Sequence, residues 1–259
     1  AVTGKAGLDT GSLNNEQGLI SAAAGDGEIR SQQSVNNTKG RIEAAKTQHI
    51  SAGDVNNQQG VIVASGTTLA LGSGTLDNRS GSLLSQGALN VESGAINNQD
   101  GFLASDGNFA LNSGDVDNTR GQIGANQSLN ATFAALHNSG GAVKSVGAMT
   151  LTGSELDNTN GTTFSGASLA FTGETLNNTS GQLAAADGLS LNAASQLLNT
   201  SGVLQGNGIN LTTGALDNSA GTLNSLDALN LSAGSLNNQA GTLAATGTAD
   251  IAANNVDNR

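Results

Sequence analysis

Asparagine returns at one fixed place along the whole chain: Asn15, Asn37, Asn57, Asn78, Asn98, Asn118, Asn138, Asn158, Asn178, Asn199, Asn218, Asn238 and Asn258. The interval is usually 20 residues and stays between 19 and 22. A period of that size marks a solenoid, in which each unit leaves an apolar face open and the next unit covers it. It also constrains function, because a surface built from one repeated unit offers a special site only where the repetition breaks.

We number each unit from two residues before that Asn. Position 1 is aliphatic at all 13 starts, from Leu13 to Val256. Position 2 is Asn or Asp at 11 of them, with His137 and Leu198 as exceptions. Position 6 is Gly in all 12 units that reach it, and position 8 is Ile, Leu or Val in 11 of 12, Thr163 being the exception. Apolar residues then alternate at positions 14 and 16, as in Leu89 and Val91 or Leu169 and Phe171.

This spacing of two is that of strands with one buried and one wet face. No stretch carries a helical stripe of useful length. The strands are short and are followed by Gly or Asn, which tolerate a left-handed backbone and are expected to turn the chain. Like positions of successive units then align in parallel, coil upon coil. The predicted fold is all-β: a right-handed parallel β-helix of about 12 coils of about 20 residues, the hand following the preference for right-handed parallel crossovers. At about 4.8 Å per coil it would be on the order of 60 Å long. Stacking also explains the Asn column, since one amide above another can form a hydrogen-bonded ladder. At position 2 no two Asp are neighbours, which suits a stacked column because like charges repel across strands.

A unit this rich in Gly, Asn, Ser and Thr cannot bury a core alone and borrows one from its neighbours. Residues 1–259 read as a single β-helical repeat segment, cut from a longer array, with slightly irregular and more charged coils over 1–54. The net charge is −11, most of it beyond residue 54, and aromatic residues make up 2%. That surface offers no phosphate-binding stripe and would be repelled by anionic lipid, so neither nucleic acid nor membrane insertion is expected. There is no Cys to form disulfides.

The consensus, about L-[DN]-N-x-x-G-x-L-x-[SA]-x-G-x-L-x-L-x-[SA]-G-x, resembles the repeats of filamentous haemagglutinin. The likeness is fullest over 76–101, LDNRSGSLLSQGALNVESGAINNQDG, and extends over essentially the whole chain. These repeats belong to large bacterial exoproteins exported by two-partner secretion, among them haemagglutinin adhesins and contact-dependent growth inhibition toxins. The resemblance implies a secreted filament at the bacterial cell surface, a monomeric rod carried by an outer-membrane transporter. It would project a receptor-binding or toxin region away from the cell and meet a cell-surface receptor through distal regions.

Little in the chain suggests chemistry. His49 falls at an outward strand position and His137 in the turn column, so neither is expected to find the convergent partners of a triad or a metal site. Paired carboxylates would need to cluster on one face; Asp115 and Asp117 are read as turn residues, and Asp100 and Asp106 flank a strand. No catalytic, cofactor or metal residue is assigned, and no cofactor is expected. Sequons at Asn36, Asn126, Asn177 and Asn210 arise from composition. Small length changes near Thr68, Gln196 and Gly208 read as loops. Val61, Val63, Leu84 and Phe102 fall at outward positions of three consecutive coils and form a candidate lateral contact patch. The main reading is a structural stalk. Its rivals are a segment that itself binds a receptor or glycan, and a polysaccharide-active β-helix enzyme.

Overall fold

The computed structural model describes residues 4–259, so the first three residues of the expected 1–259 segment lie outside it. All its regular elements are β-strands. They form a parallel β-solenoid of about 13 turns of about 20 residues. The sequence count of 12 full coils omitted a partial coil ahead of Leu13 that also forms a strand, Ala6–Thr10. The chain divides into two compact units, 1–133 and 134–259, and each is built by the same rules.

A coil begins with a four-residue strand such as Val61–Ala64, Ser82–Ser85 or Phe102–Ser105. Each pairs in parallel with its counterpart one coil on: Val61 with Ser82, Ser82 with Phe102. After a corner comes a second strand. In the earliest coils it is broken in two, as in Gln48–Ser51 and Asp54–Asn56. From Thr68 onward the halves fuse into a strand of nine or ten residues, such as Thr68–Asp77. The expectation of short strands therefore holds throughout for the first strand of each coil, and for the second only early in the chain. In several fused strands a glycine lies close against the preceding coil. A Cβ on Gly94 would lie 2.5 Å from the carbonyl oxygen of Gly74.

Four apolar columns face inward. In the first unit Ile62, Leu83 and Leu103 come from the short strands, Leu69 with Leu71 and Leu89 with Val91 from the long ones, and Leu76, Ile96 and Val116 from position 1. In the second unit Leu183, Leu191 and Leu216 hold the equivalent places. All are almost wholly buried. Each such side chain contributes about 1.5–3 kcal/mol on leaving water, and like stacks on like because the parallel register repeats. A small residue closes each short strand. Where it is Ser, its hydroxyl donates back to the backbone past the corner, as from Ser85 to the Ala88 carbonyl at 2.8 Å and from Ser225 to that of Ala228 at 2.7 Å.

The irregular early coils have a packing cause. Gln48 occupies an inward place that Leu69 fills one coil on, and it is 1% exposed. Its amide donates to the His49 carbonyl at 3.1 Å. Gly27, one coil earlier, makes the room: a Cβ there would sit 2.2 Å from Gln48 Oε1.

Two expectations about turns are corrected. The left-handed bend was assigned to Asn or Gly, but it lies at position 5. Gln17, Lys39, Gln59, Ser80, Asp100, Arg120, Asn160, Ser180, Ser201, Ala220 and Ala240 all have φ between 52° and 55° there. The residue type is free because the stacked backbone enforces the conformation, each amide donating to the next coil, as from Gln59 to the Arg79 carbonyl at 3.0 Å. Position 6 needs Gly for a different reason. A Cβ on Gly60 would lie 2.2 Å from the Asn37 carbonyl oxygen and 2.6 Å from Asn57 Oδ1. The second correction concerns the extra residue near Gln196, which is a β-bulge in Leu189–Leu198 rather than a loop.

These two positions should respond oppositely to substitution. Gly60→Ala is expected to destabilise by about 2–3 kcal/mol, because fixed backbone must move to admit the methyl group. Ala220→Gly should stabilise by up to about 1 kcal/mol, since relief of left-handed strain exceeds the added chain entropy. Urea denaturation of the two variants checks both signs.

Candidate functional site

The most highly organised group of side chains is the Asn column and the turn around it. In the first unit the amide of Asn15 donates to Asn37 Oδ1 at 2.6 Å, Asn37 to Asn57, Asn57 to Asn78, and Asn78 to Asn98, the last three at 2.7 Å. Asn98 donates to Asn118 at 2.7 Å. In the second unit the series Asn138, Asn158, Asn178, Asn199, Asn218, Asn238 and Asn258 is joined by bonds of 2.6–2.8 Å. From Asn37 through Asn218 these side chains are 0% exposed.

Each amide does more than reach its neighbour. Asn57 Nδ2 also donates to the Gly60 carbonyl of its own turn at 3.2 Å and to the Ser82 carbonyl of the next coil at 3.2 Å. Two amide protons thus serve three acceptors. The turn is closed independently by the Gly60 amide, which donates to the Asn57 carbonyl at 2.9 Å. Only a short side chain with an acceptor on one atom and two donors on the other can fill this role; Asp lacks the donors and Gln is too long. Thr163, the one polar residue in the position 8 column, is 0% exposed and donates to Asn158 Oδ1 at 3.1 Å. A buried hydroxyl is tolerated because the ladder supplies its partner.

Position 2 performs a separate task. Its side-chain oxygen accepts from the backbone amide two residues on, from Asn56 with Gln58 at 3.0 Å to Asp217 with Ser219 at 3.0 Å. Asn and Asp both supply that oxygen, which is why either is found. At Asp77 and Asp257 the second oxygen is taken up from the neighbouring coil, by Gln58 at 2.7 Å and Gln239 at 2.7 Å. His137 and Leu198 carry no such oxygen.

Some of the remaining surface charges are engaged between neighbouring coils. Arg120 forms a cross-coil ion pair with Asp100 at 2.8 Å, and Asn126 donates to Asp106 at 2.9 Å. Asp115 and Asp117 lie at the end of the strand Phe109–Asp117, not in the turn. Their shared outward face follows from the alternation that buries Val116 between them. Asp117 is occupied in the turn by the Thr119 amide at 2.9 Å. His49 is exposed and stands in register with Glu28. Among the described residues no three His, Cys, Asp or Glu side chains come together as a metal would require. The sequon amides of Asn36, Asn126 and Asn177 donate to Asn14, Asp106 and Thr159, while Asn210 accepts from Asn230.

The structure sets Val61, Val63, Leu84 and Phe102 on the outward face of three adjacent short strands. Val63 lies in register with Leu84, and Ser82 separates Val61 from Phe102. Leu84 is 36% and Phe102 43% exposed. The coil before presents the Arg41–Glu43 ion pair in the same columns.

The family model of the haemagglutinin repeat matches residues 1–113. The resemblance to filamentous haemagglutinin repeats is thereby borne out over that stretch. No curated protein and no solved structure matches the chain. The chain's own repeat continues beyond residue 113, with the same aliphatic, Asn and Gly places at Leu216, Asn218 and Gly221.

Several surface carboxyls are held below their ordinary range. Arg120 lowers Asp100, Arg41 and then Ser21 lower Glu43, and Arg259 with Gln239 holds Asp257 at about 2. Burial alone would raise Asp77, but hydrogen bonds from Arg79 and Gln58 outweigh it and the net direction is down. A depressed carboxyl stabilises the fold above its unfolded pKa and loses that contribution as pH falls through the folded value. Stability is therefore expected to be flat from neutral pH to about 4 and to fall between about 4 and 2, with added salt flattening the slope. Thermal unfolding across that range checks it.

Asn57→Leu tests the ladder. It removes three donations, takes away the acceptor of the Asn37 amide and leaves buried carbonyls unpaired. The expected cost is about 2–4 kcal/mol, with faster hydrogen exchange concentrated in the coils either side. Asn112→Asp, on an outward strand position, should exchange like the parent.

Proposed function

We propose that this chain is a non-catalytic segment of an extracellular filament, contributing length and stiffness to a secreted bacterial exoprotein. The observation that carries this reading is the unbroken repetition. Corners between strands hold a few residues each, and the inward Asn of each turn is consumed by bonds along the stack. Binding and catalytic residues are usually carried on loops held by a scaffold, and the described coils carry no long loop. The haemagglutinin-repeat match over 1–113 supports placement in an adhesin or a contact-dependent inhibition exoprotein. On this reading the parent chain crosses the outer membrane through a two-partner transporter, stays at the bacterial surface, and contacts its receptor through distal regions.

The test is competition. The purified segment is expected not to compete with the parent exoprotein for target cells, whereas removing whole coils from the parent should shorten its reach without loss of export. Competition by the segment would overturn the stalk reading in favour of a binding segment. Release of sugar products that is lost on mutating Asp115 or Asp117 would establish the enzyme instead.

A second reading concerns Val61, Val63, Leu84 and Phe102, whose clustering on one face favours a lateral contact between filaments. Replacing Leu84 and Phe102 with Ser should then reduce side-by-side association of parent filaments and leave the fold intact.

A further inference from the structure

We infer that Asn207 is a site of spontaneous covalent modification, through succinimide formation with Gly208 and hydrolysis to aspartate and isoaspartate. The chain contains two Asn–Gly pairs, Asn160–Gly161 and Asn207–Gly208. Glycine on the carboxyl side leaves the attacking backbone nitrogen unshielded, so both are candidates by sequence. Their surroundings differ. The Gly161 amide is committed to the Asn158 carbonyl at 2.9 Å, inside the turn that the ladder holds. Gly161 is also pressed against the preceding coil, a Cβ there lying 2.2 Å from the Asn138 carbonyl oxygen. The reaction at Asn160 would have to break that turn first.

Asn207 and Gly208 stand outside the turn, in the corner between Val203–Gly206 and Ile209–Asp217. Asn207 is exposed. Its own amide donates to the Asp187 carbonyl at 2.8 Å, which fixes the residue without engaging its side chain or the Gly208 nitrogen. The space around Gly208 is open, the nearest atom to a Cβ there being the Ala228 oxygen at 4.0 Å. This corner is also shortened. Ser225 and Leu229 enclose three residues and Ala185 and Leu189 enclose three, but Gly206 and Ile209, their partners in register, enclose two. An isoaspartate adds one backbone carbon and so lengthens the corner that is a residue short.

The step is balanced by water alone. The Gly208 nitrogen attacks Asn207 Cγ, a nitrogen–carbon bond forms, the carbon–nitrogen bond of the amide breaks, and ammonia leaves with the displaced proton. Water then opens the ring at either carbonyl. The product carboxylate would lie between the corners that carry Asp187 and Asp227, both exposed. Three acidic side chains on consecutive coils repel one another, so the change also loosens the stack locally.

The experiment ages the intact chain at mildly alkaline pH and maps peptides by mass spectrometry, reading a gain of one dalton and the isoaspartate signature at each Asn–Gly pair. Asn207 is expected to convert at least about fivefold faster than Asn160, the factor represented by one net hydrogen bond that must first break. Gly208→Ala fits the open space and should suppress conversion at residue 207 while leaving thermal stability unchanged. In unfolded chain held in urea the two sites should convert at similar rates. Equal rates at the two sites in the folded protein, or conversion at 207 undiminished by Gly208→Ala, would overturn the inference.

Discussion

The structure depends on one side-chain amide placed where a parallel stack can use it fully. In water an amide has many partners, and burying it without them costs on the order of a few kcal/mol. Here Asn57 finds one acceptor in its own turn and two on the next coil, and accepts in turn from Asn37. Such a group is satisfied only when three consecutive coils are in register. The ladder is therefore less a source of net stability than a penalty on misregister, since slipping one coil would strand several buried polar atoms together. The apolar columns supply the driving force and tolerate exchange among Leu, Ile and Val; the amide fixes the residue register of each coil over the next.

The glycine at position 6 and the left-handed residue at position 5 follow from the same arrangement. For the Asn57 amide to reach the Gly60 carbonyl, the turn must tighten, and tightening brings the Gly60 Cα against the Asn37 carbonyl. The tightening also forces position 5 into a conformation that Gln, Ala and Ser ordinarily resist. Repeated at every coil, that strain is spread over a long stack in which each coil is supported by its neighbours. The outer surface is left with short corners and side chains tied coil to coil, a composition suited to extent rather than to a cleft.

The strand pattern, the period and the inward columns were legible because a period of two reports one buried face directly. The Asn column was legible as a stack because nothing else explains one residue type at one place in every unit. Position 5 was not, since residues as different as Lys39, Ser80 and Ala240 share it and leave no compositional trace. The role of position 2 was also hidden: Asn56 and Asp77 look like a spacing of charges, yet both act through an oxygen that caps a backbone amide. Gln48 falls where the pattern calls for an apolar residue, and the space for it comes from Gly27 one coil earlier, which only the stacked coils bring beside it. The bulge at Gln196 and the tight corner at Asn207 differ only by a residue gained or lost, and length alone does not say whether a strand or a corner absorbs it.

The sequence by itself determined that this protein is a parallel stack of about 20-residue β coils, because only stacking lets so thin an apolar set be buried and so regular an amide be paired. The tertiary structure decided what each polar position does. Those roles depend on distances between neighbouring coils, such as the 2.7 Å between Asn57 and Asn78 or the 2.2 Å that excludes a Cβ at Gly60. Such distances exist only once separate stretches of chain lie one above another, and no single unit, however often repeated, carries them alone.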